Sequence, residues 1–423
     1  MTAATGPTDL AAWLAWLEAR NPTQITLGLE RVAAVWARLG LTFSIPVITV
    51  AGTNGKGSTC AFLDAVLRAG GYRVGLYTSP HLVRYNERVC VDGAEVSDAA
   101  LLAAFATVEA VRGDTPLSYF EHGTLAALCL FAEAKLDALV LEVGLGGRLD
   151  AVNILAADCA VITPVDLDHQ AWLGDDREAI GREKAGITRT GRPMVCSDPC
   201  APNSVLASPA APIWLLGREI TIERDDDGRW ACRVPGAVFP ALPRPALLGA
   251  HQYRNAAAAL AALWLLRARL PLPVAAVRTG IVTAQVTGRF QVIGHAPLRI
   301  VDVAHNPHAA RTLAGQLADL PPTGARIAVC AMLGDKDVAG VVAALCGVFD
   351  QWYIAPLEGA RAAPVTDLAA ILAAAGCTVK VHSSVTEAWH AACSDANAAD
   401  TIAAFGSFYT VAAVVQTALI TTR

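Results

Sequence analysis

Short apolar, β-branched runs alternate with helical stretches over roughly the first 200 residues. The runs are Ile48–Ala51, Val74–Tyr77, Ala138–Glu142, Cys159–Thr163 and Met194–Cys196. Strands spaced by helices in this way predict a mostly parallel sheet. Residues 198–245 break the rhythm. They are proline-rich and carry a hairpin signal at Asp225-Asp226-Asp227-Gly228. A helix is predicted over Asn255–Leu270, and Pro271 and Pro273 interrupt the chain just after it. The linker to a second domain is expected near Gln285–Thr287. A second α/β rhythm then sets in, with strands at Ile300–Val303, Ile327–Ala331, Trp352–Ile354, Val379–His382 and Ile402–Phe405. The expected fold class is therefore α/β in two domains, 1–286 and 287–423, the second of them Rossmann-like. No repeat or low-complexity tract appears beyond an alanine bias.

Composition agrees with this plan. The chain has 423 residues, 54% hydrophobic and 17% charged, enough to fill two or three cores. No apolar run is long enough for a membrane span. No basic residue precedes Arg20, so no signal peptide is expected. A net charge of −5 gives no reason to expect nucleic acid as a partner. The 11 cysteines are odd in number, lack a C-x-x-C pair, and mostly sit in apolar runs, as at Cys129, Cys159, Cys330 and Cys346. Cys196 and Cys200 lie in a proline-rich loop with no histidine to complete a zinc set. Reduced core thiols, a cytoplasmic location and a monomer are the expectations.

The densest chemistry lies in Ile48-Thr49-Val50-Ala51-Gly52-Thr53-Asn54-Gly55-Lys56-Gly57-Ser58-Thr59. A strand enters a glycine-rich loop that carries a lysine and hydroxyls, and a helical pattern comes next. Glycines let backbone N–H groups curl round an anion, the helix start adds positive potential, and Lys56 adds a full charge. This is a phosphate cradle, although Gly57 separates the lysine from Ser58, unlike the common G-x-x-x-x-G-K-[ST] spelling. The first domain is thus expected to be of P-loop ATPase type. Glu142 closes an apolar strand and enters Gly144-Leu145-Gly146-Gly147, a place suited either to a metal ligand or to a solvated charge. His169 lies just past another strand end. Lys184, in Arg182-Glu183-Lys184-Ala185-Gly186, reads as an ordinary ion pair on a helix surface.

The spelling GTNGKGST is that of the Mur-ligase superfamily. The remainder resembles its dihydrofolate synthase/folylpolyglutamate synthase branch almost end to end. The matching motifs are LGLERV (27–32), YTSPHLVRYNERV (77–89), YFEHGTLAAL (119–128), LEVGLGGRLDAVN (141–153), LDHQAWLG (167–174), REKAGI (182–187), TGRFQVI (287–293), DVAHNPHAA (302–310), MLGDKD (332–337) and GSFYTV (406–411). YFEHGTLAAL and DVAHNPHAA look most like the bifunctional bacterial enzymes.

The resemblance implies an ATP-dependent ligase that phosphorylates a carboxylate and lets an amine displace the phosphate. Its partners would be small molecules: ATP, L-glutamate, dihydropteroate and folates. It assigns ATP to the loop Gly52–Ser58 and to Asn255, Arg289 and Asp302. Two Mg²⁺ ions would be held by Ser79, Glu142 and His169, together with a carbamate on Lys184. Lys56, Lys184 and His305 would be the catalytic residues, His305 beside the incoming glutamate. Ser407 would join His305 there, or simply cap a helix. The pterin side would use Thr26, Leu27, Gly28 and Leu29, then Ser118, Tyr119, Phe120 and Glu121, then Leu149, Asp150 and Ala151. Thr26 stands where the family usually has an aspartate.

Two rivals differ in class. A cell-wall Mur ligase calls for a further domain ahead of the loop, and the 47 residues before Ile48 are too few for one. A P-loop switch protein calls for an N-K-x-D guanine motif or switch loops, and neither is found in the sequence.

Overall fold

Runs that are apolar at every position pair side by side, because a parallel sheet is covered on both faces. The computed structural model describes residues 7–20, 27–321, 324–359 and 361–421, so Thr26 lies outside the described residues. In the first part of the chain the strands are β1 (Val47–Ala51), β2 (Val74–Tyr77), β3 (Val89–Val91), β4 (Ala94–Glu95), β5 (Ala138–Glu142), β6 (Cys159–Ile162), β7 (Met194–Cys196) and β8 (Ile213–Leu215). They form one sheet in the order β4-β3-β2-β5-β1-β6-β7-β8. β1 and β5, at its centre, are buried at every residue and pair in parallel with Val50 opposite Glu142. Pairing from β2 to β8 is parallel, and only the β2-β3-β4 edge is antiparallel.

A three-stranded antiparallel sheet comes next, made of β9 (Thr221–Arg224), β10 (Trp230–Val234) and β11 (Ala237–Leu242). The aspartate-rich turn between β9 and β10 is the expected hairpin. The helix after it runs Ala250–Leu265, earlier than expected. Helix Lys56–Ala69 packs closely on helix Val274–Thr283, since a Cβ on Gly280 would run into the Val66 backbone.

The second sheet contains β12 (Gln291–His295), β13 (Leu298–Val301), β14 (Arg326–Cys330), β15 (Gln351–Ile354), β16 (Val379–Val381) and β17 (Thr401–Phe405), in the order β12-β13-β17-β14-β15-β16. All its pairs are parallel except β12-β13. The chain divides into two compact units. One runs to Ala246 and takes up Tyr253–Gln285, and the other comprises Leu247–Gln252 and Val286–Arg423.

Cys129, Cys159 and Cys330 are buried as expected. Cys346 is not a core thiol. It is half-buried, because its apolar run ends there as the C-cap of helix Val338–Leu345. Among the described residues no helix is long and apolar enough to cross a membrane.

Candidate active site

In the first unit β1 delivers the chain into the Gly52–Thr59 loop, and helix Lys56–Ala69 leaves it. The glycines are needed for space. A Cβ on Gly52 would fall inside the Thr163 side chain, and one on Gly55, at φ 92°, would lie 2.8 Å from Asn255 Oδ1. Asn255, buried in helix Ala250–Leu265, thus sits on the loop. Lys56 folds back over it: Nζ donates to the Gly52 carbonyl at 3.1 Å and to that of Thr53 at 3.2 Å.

Glu142 ends β5 beside this loop. It is 4% exposed, so it is no solvated strand-end charge. Its Oε2 accepts the Ser79 N–H at 3.2 Å and would lie 3.7 Å from a Cβ on Gly57. The segment after β6 is clamped to the loop, since Thr53 Oγ1 both accepts the Asp166 N–H and donates to its carbonyl, each at 3.0 Å. Three residues on, His169 adopts φ 53° and opens the short helix Gln170–Leu173. Its Nε2 stands 3.9 Å from Asp168 Oδ1.

Lys184 departs from the surface ion pair expected for it. On helix Arg177–Ala185 it is buried, and Nζ donates to the same Gly52 carbonyl at 3.0 Å. The exposed pair is made instead by its neighbour Glu183, with Arg148. Burial, and then the nearby Lys56 charge, pull the Lys184 ammonium down to about 7. Two lysines therefore meet at one backbone carbonyl, and one of them releases its proton near neutrality.

The residues expected on the pterin side form a second constellation in this unit. Leu27, Gly28 and Leu29 lead into helix Glu30–Leu39. Ser118 caps helix Tyr119–Glu133 in a reciprocal box with Glu121. Glu121 is also paired with Arg31 at 2.7 Å. Tyr119 meets Tyr85 edge-on, and the Arg88 guanidinium lies 5.6 Å from its ring. Phe120 lies where a Cβ on Gly144 would be, 2.7 Å from Cζ, so only glycine fits there. Half-buried Leu149 and buried Ala151 flank Asp150. Asp150 accepts the N–H groups of Gly144, Leu145 and Val152, and burial pushes it up to about 6. Both carboxylates expected on the pterin side, Glu121 and Asp150, already hold backbone N–H groups.

In the second unit, Asp302 comes directly after β13. Its oxygens accept the N–H groups of Phe290 at 2.7 Å and Ala304 at 2.8 Å, and burial raises its carboxyl. Arg289 lies 5.8 Å over the Phe408 ring, and the His305 ring is 6.1 Å from the same phenylalanine. His305 Nδ1 is 2.8 Å from the Val303 carbonyl oxygen. Ser407 is buried and caps helix Phe408–Thr421, accepting the Thr410 N–H at 3.0 Å.

Similarity to known proteins bears directly on this geometry. Residues 288–408 match the Mur ligase, glutamate ligase domain. The chain is 49% identical to the dihydrofolate synthase/folylpolyglutamate synthase of Escherichia coli K12 over 96% of its own length and 95% of that protein. With the protein of the same name from Haemophilus influenzae it shares 39% over 97% of each chain. The family is dihydrofolate synthase/folylpolyglutamate synthase, and this chain belongs to it. Among solved structures of this family, E. coli FolC in complex with DHPP and ADP matches with a TM-score of 0.93 at 47% identity, covering both chains fully. A bifunctional folylpolyglutamate synthase/dihydrofolate synthase with Mn, AMPPNP and L-glutamate bound matches with a TM-score of 0.89 at 46% identity, over 97% of this chain and 98% of that one.

As a member of this family, the chain holds two polar residues that sequence reasoning did not single out. Arg31 neutralises Glu121, and buried Arg88 donates to His81 Nδ1 at 2.8 Å while lying over Tyr85 and Tyr119. Both stand inside family motifs, LGLERV and YTSPHLVRYNERV. Their partners are tertiary, so spacing alone could not find them.

Proposed function

We propose that this chain is an ATP-dependent ligase that joins L-glutamate to 7,8-dihydropteroate and adds further glutamates to folates. The observation that carries this reading is the convergence of Lys56, Lys184 and Glu142 on the Gly52–Thr59 loop. The names of full-length relatives support it. In this reading residues 1–286 bind ATP and 287–423 form the glutamate-ligase domain. A carboxylate oxygen of the acid attacks the γ-phosphorus and ADP leaves. The glutamate amine then attacks the acyl carbon and phosphate leaves. Lys56 and the loop N–H groups hold the phosphates in line. Asn255, Arg289 and Asp302 contact the nucleotide, Asp302 through the lone pairs its two backbone donors leave. His305 and the helix start at Ser407 receive the glutamate. Leu27–Leu29, Ser118–Glu121 and Leu149–Ala151 line the pterin side.

A divalent metal fits the donors present. The Glu142 carboxylate and the Ser79 hydroxyl are hard oxygen ligands of the kind Mg²⁺ prefers, and His169 would add an imidazole nitrogen, which rests on the family resemblance and not on the metal's oxygen preference. Among the described residues no three His, Cys, Asp or Glu side chains cluster as a metal cage. Bound Mg²⁺ would neutralise phosphate charge and polarise the γ-phosphorus.

The finer proposal concerns Lys184. A carbamate forms when a neutral amine attacks CO₂ and releases a proton. An ordinary lysine is almost wholly protonated at pH 7, whereas one held near 7 is neutral about half the time. The neutral fraction rises as pH rises through that value. Labelled bicarbonate should give a carbamate carbon signal in the wild-type protein and none in Lys184→Ala.

The decisive assay is ADP release with dihydropteroate, with tetrahydrofolate and with no acid, each with and without glutamate. Release should require both acid and glutamate. Turnover without either would identify a nucleotide switch instead. Extension of tetrahydrofolate alone would reduce the chain to a folylpolyglutamate synthase.

A further inference from the structure

Helix Val338–Leu345 ends at Cys346, whose N–H donates to the Val342 carbonyl at 2.8 Å. Helix Val365–Ala374 ends just before Cys377, whose N–H donates to the Leu372 carbonyl at 3.0 Å. One residue past Cys377, the Thr378 carbonyl accepts the Trp352 N–H at 2.8 Å, which joins the turn to β15, and β16 comes next. Both cysteines thus sit in the hydrogen-bonded turns that close these two helices of the second unit. Their sulfurs lie 3.0 Å apart, and Cys346 Sγ also contacts the Ala375 carbonyl at 3.1 Å. Closing to the bonded sulfur–sulfur distance of about 2.05 Å requires a movement of about 1 Å. Both residues are half-buried, so a small reagent can reach them, unlike the buried Cys159 or Cys330.

We infer that Cys346 and Cys377 are an oxidisable pair that a low-molecular-weight disulfide, such as oxidised glutathione, closes in the folded protein. The Cys346 thiolate attacks one sulfur of the reagent and expels one thiolate, which takes up a proton. The Cys377 sulfur, losing its proton, then attacks Cys346 Sγ and expels the second thiol. The protein loses two S–H hydrogens and gains one sulfur–sulfur bond, and one reagent disulfide is reduced to two thiols. Cys346 goes first because burial, and then its neighbour, push the Cys377 thiol up to about 12. A thiol that is rarely ionised attacks slowly, and its thiolate is also a poor leaving group. The bond is therefore a slow, durable staple between two helix ends, not a rapid sensor.

The test uses the full chain, oxidised natively with glutathione disulfide, alkylated in denaturant and digested with trypsin. Peptides 337–361 and 362–380 should appear joined, lighter than their sum by two hydrogens. The unfolding temperature of the oxidised protein should rise by several degrees, because the link restricts the unfolded chain. Cys346→Ser keeps a hydroxyl for the Ala375 carbonyl, so it should fold normally, yet lose both the link and the rise. Separate glutathione caps or free thiols at both positions, in protein whose exposed Cys200 has reacted, would overturn the pairing. So would a link that forms only in denaturant. A link without any rise in unfolding temperature would overturn the staple.

Discussion

The phosphate loop of the first unit and the Asp302 end of the second spend their polar side chains differently. In the first, the groups expected to do chemistry turn onto the loop that opens at Gly52. Lys56 and Lys184 both donate to the Gly52 carbonyl, and Glu142 is held by the Ser79 N–H. In the second, they are built into the scaffold. Asp302 ties the backbone at Phe290 to that at Ala304, and Ser407 caps a helix. Substitutions in the first group should cost activity and leave or even improve stability. Substitutions in the second should cost stability first.

The sharpest break of this comparison is Lys184→Met. A base with a folded pKa near 7 and an ordinary value of 10.5 destabilises the fold most below pH 7. There both states carry the charge, but the native state holds it buried beside Lys56. The penalty fades as pH rises from about 7 toward 10.5, where both states are neutral. At about 1.4 kcal/mol per pKa unit, Lys184→Met should add on the order of several kcal/mol at neutral pH, measured by denaturation in CO₂-free buffer. It should also be nearly inactive. A destabilised variant would mean that the ammonium is a structural tie. Lys56→Ala comes next. Losing a preorganised charge at a phosphoryl group typically costs about 10²–10³ in rate. The steady-state rate should fall by that factor with an unchanged melting curve.

The same contrast explains what was legible in the sequence. β2, β5 and β7 fall on the expected residues, because each is a continuous apolar run ending at a polar or glycine-rich turn. β3, β4 and β8 are short strands of two or three residues at or next to the sheet edges, and β12 is half-exposed. None leaves a strong pattern. The phosphate loop was legible because it needs glycine at fixed places. The burial of Lys184 was not, since its charged helix reads as a surface segment and only the fold brings it to Gly52, 132 positions earlier. Motif resemblance named Glu121 and Asp150 but could not say that backbone N–H groups already hold them.

In the second unit, Asp302→Asn tests the scaffold role. An amide keeps one acceptor oxygen and loses a charge, so one of the two backbone bonds should go. A hydrogen bond to a charged group is worth roughly 1.5–3 kcal/mol. Chemical denaturation should show a loss of that order, whereas Glu142→Gln should show much less. Equal losses would erase the distinction between the units.

Ser407→Ala should have the smallest effect, and it separates two roles that the sequence left open. The hydroxyl accepts the Thr410 N–H and exchanges a hydrogen bond with Thr410 Oγ1, which in turn donates to the Ala331 carbonyl. Removing an N-cap serine costs about 1 kcal/mol. A cap alone would give that loss with an unchanged KM for glutamate, because the helix N–H groups remain in place. If the hydroxyl also contacts the amino acid, KM should rise by more than the stability loss explains. Ser407→Thr separates these outcomes, since threonine caps nearly as well but adds a methyl group at a site only 2% exposed. Normal KM in both variants would leave Ser407 a scaffold residue.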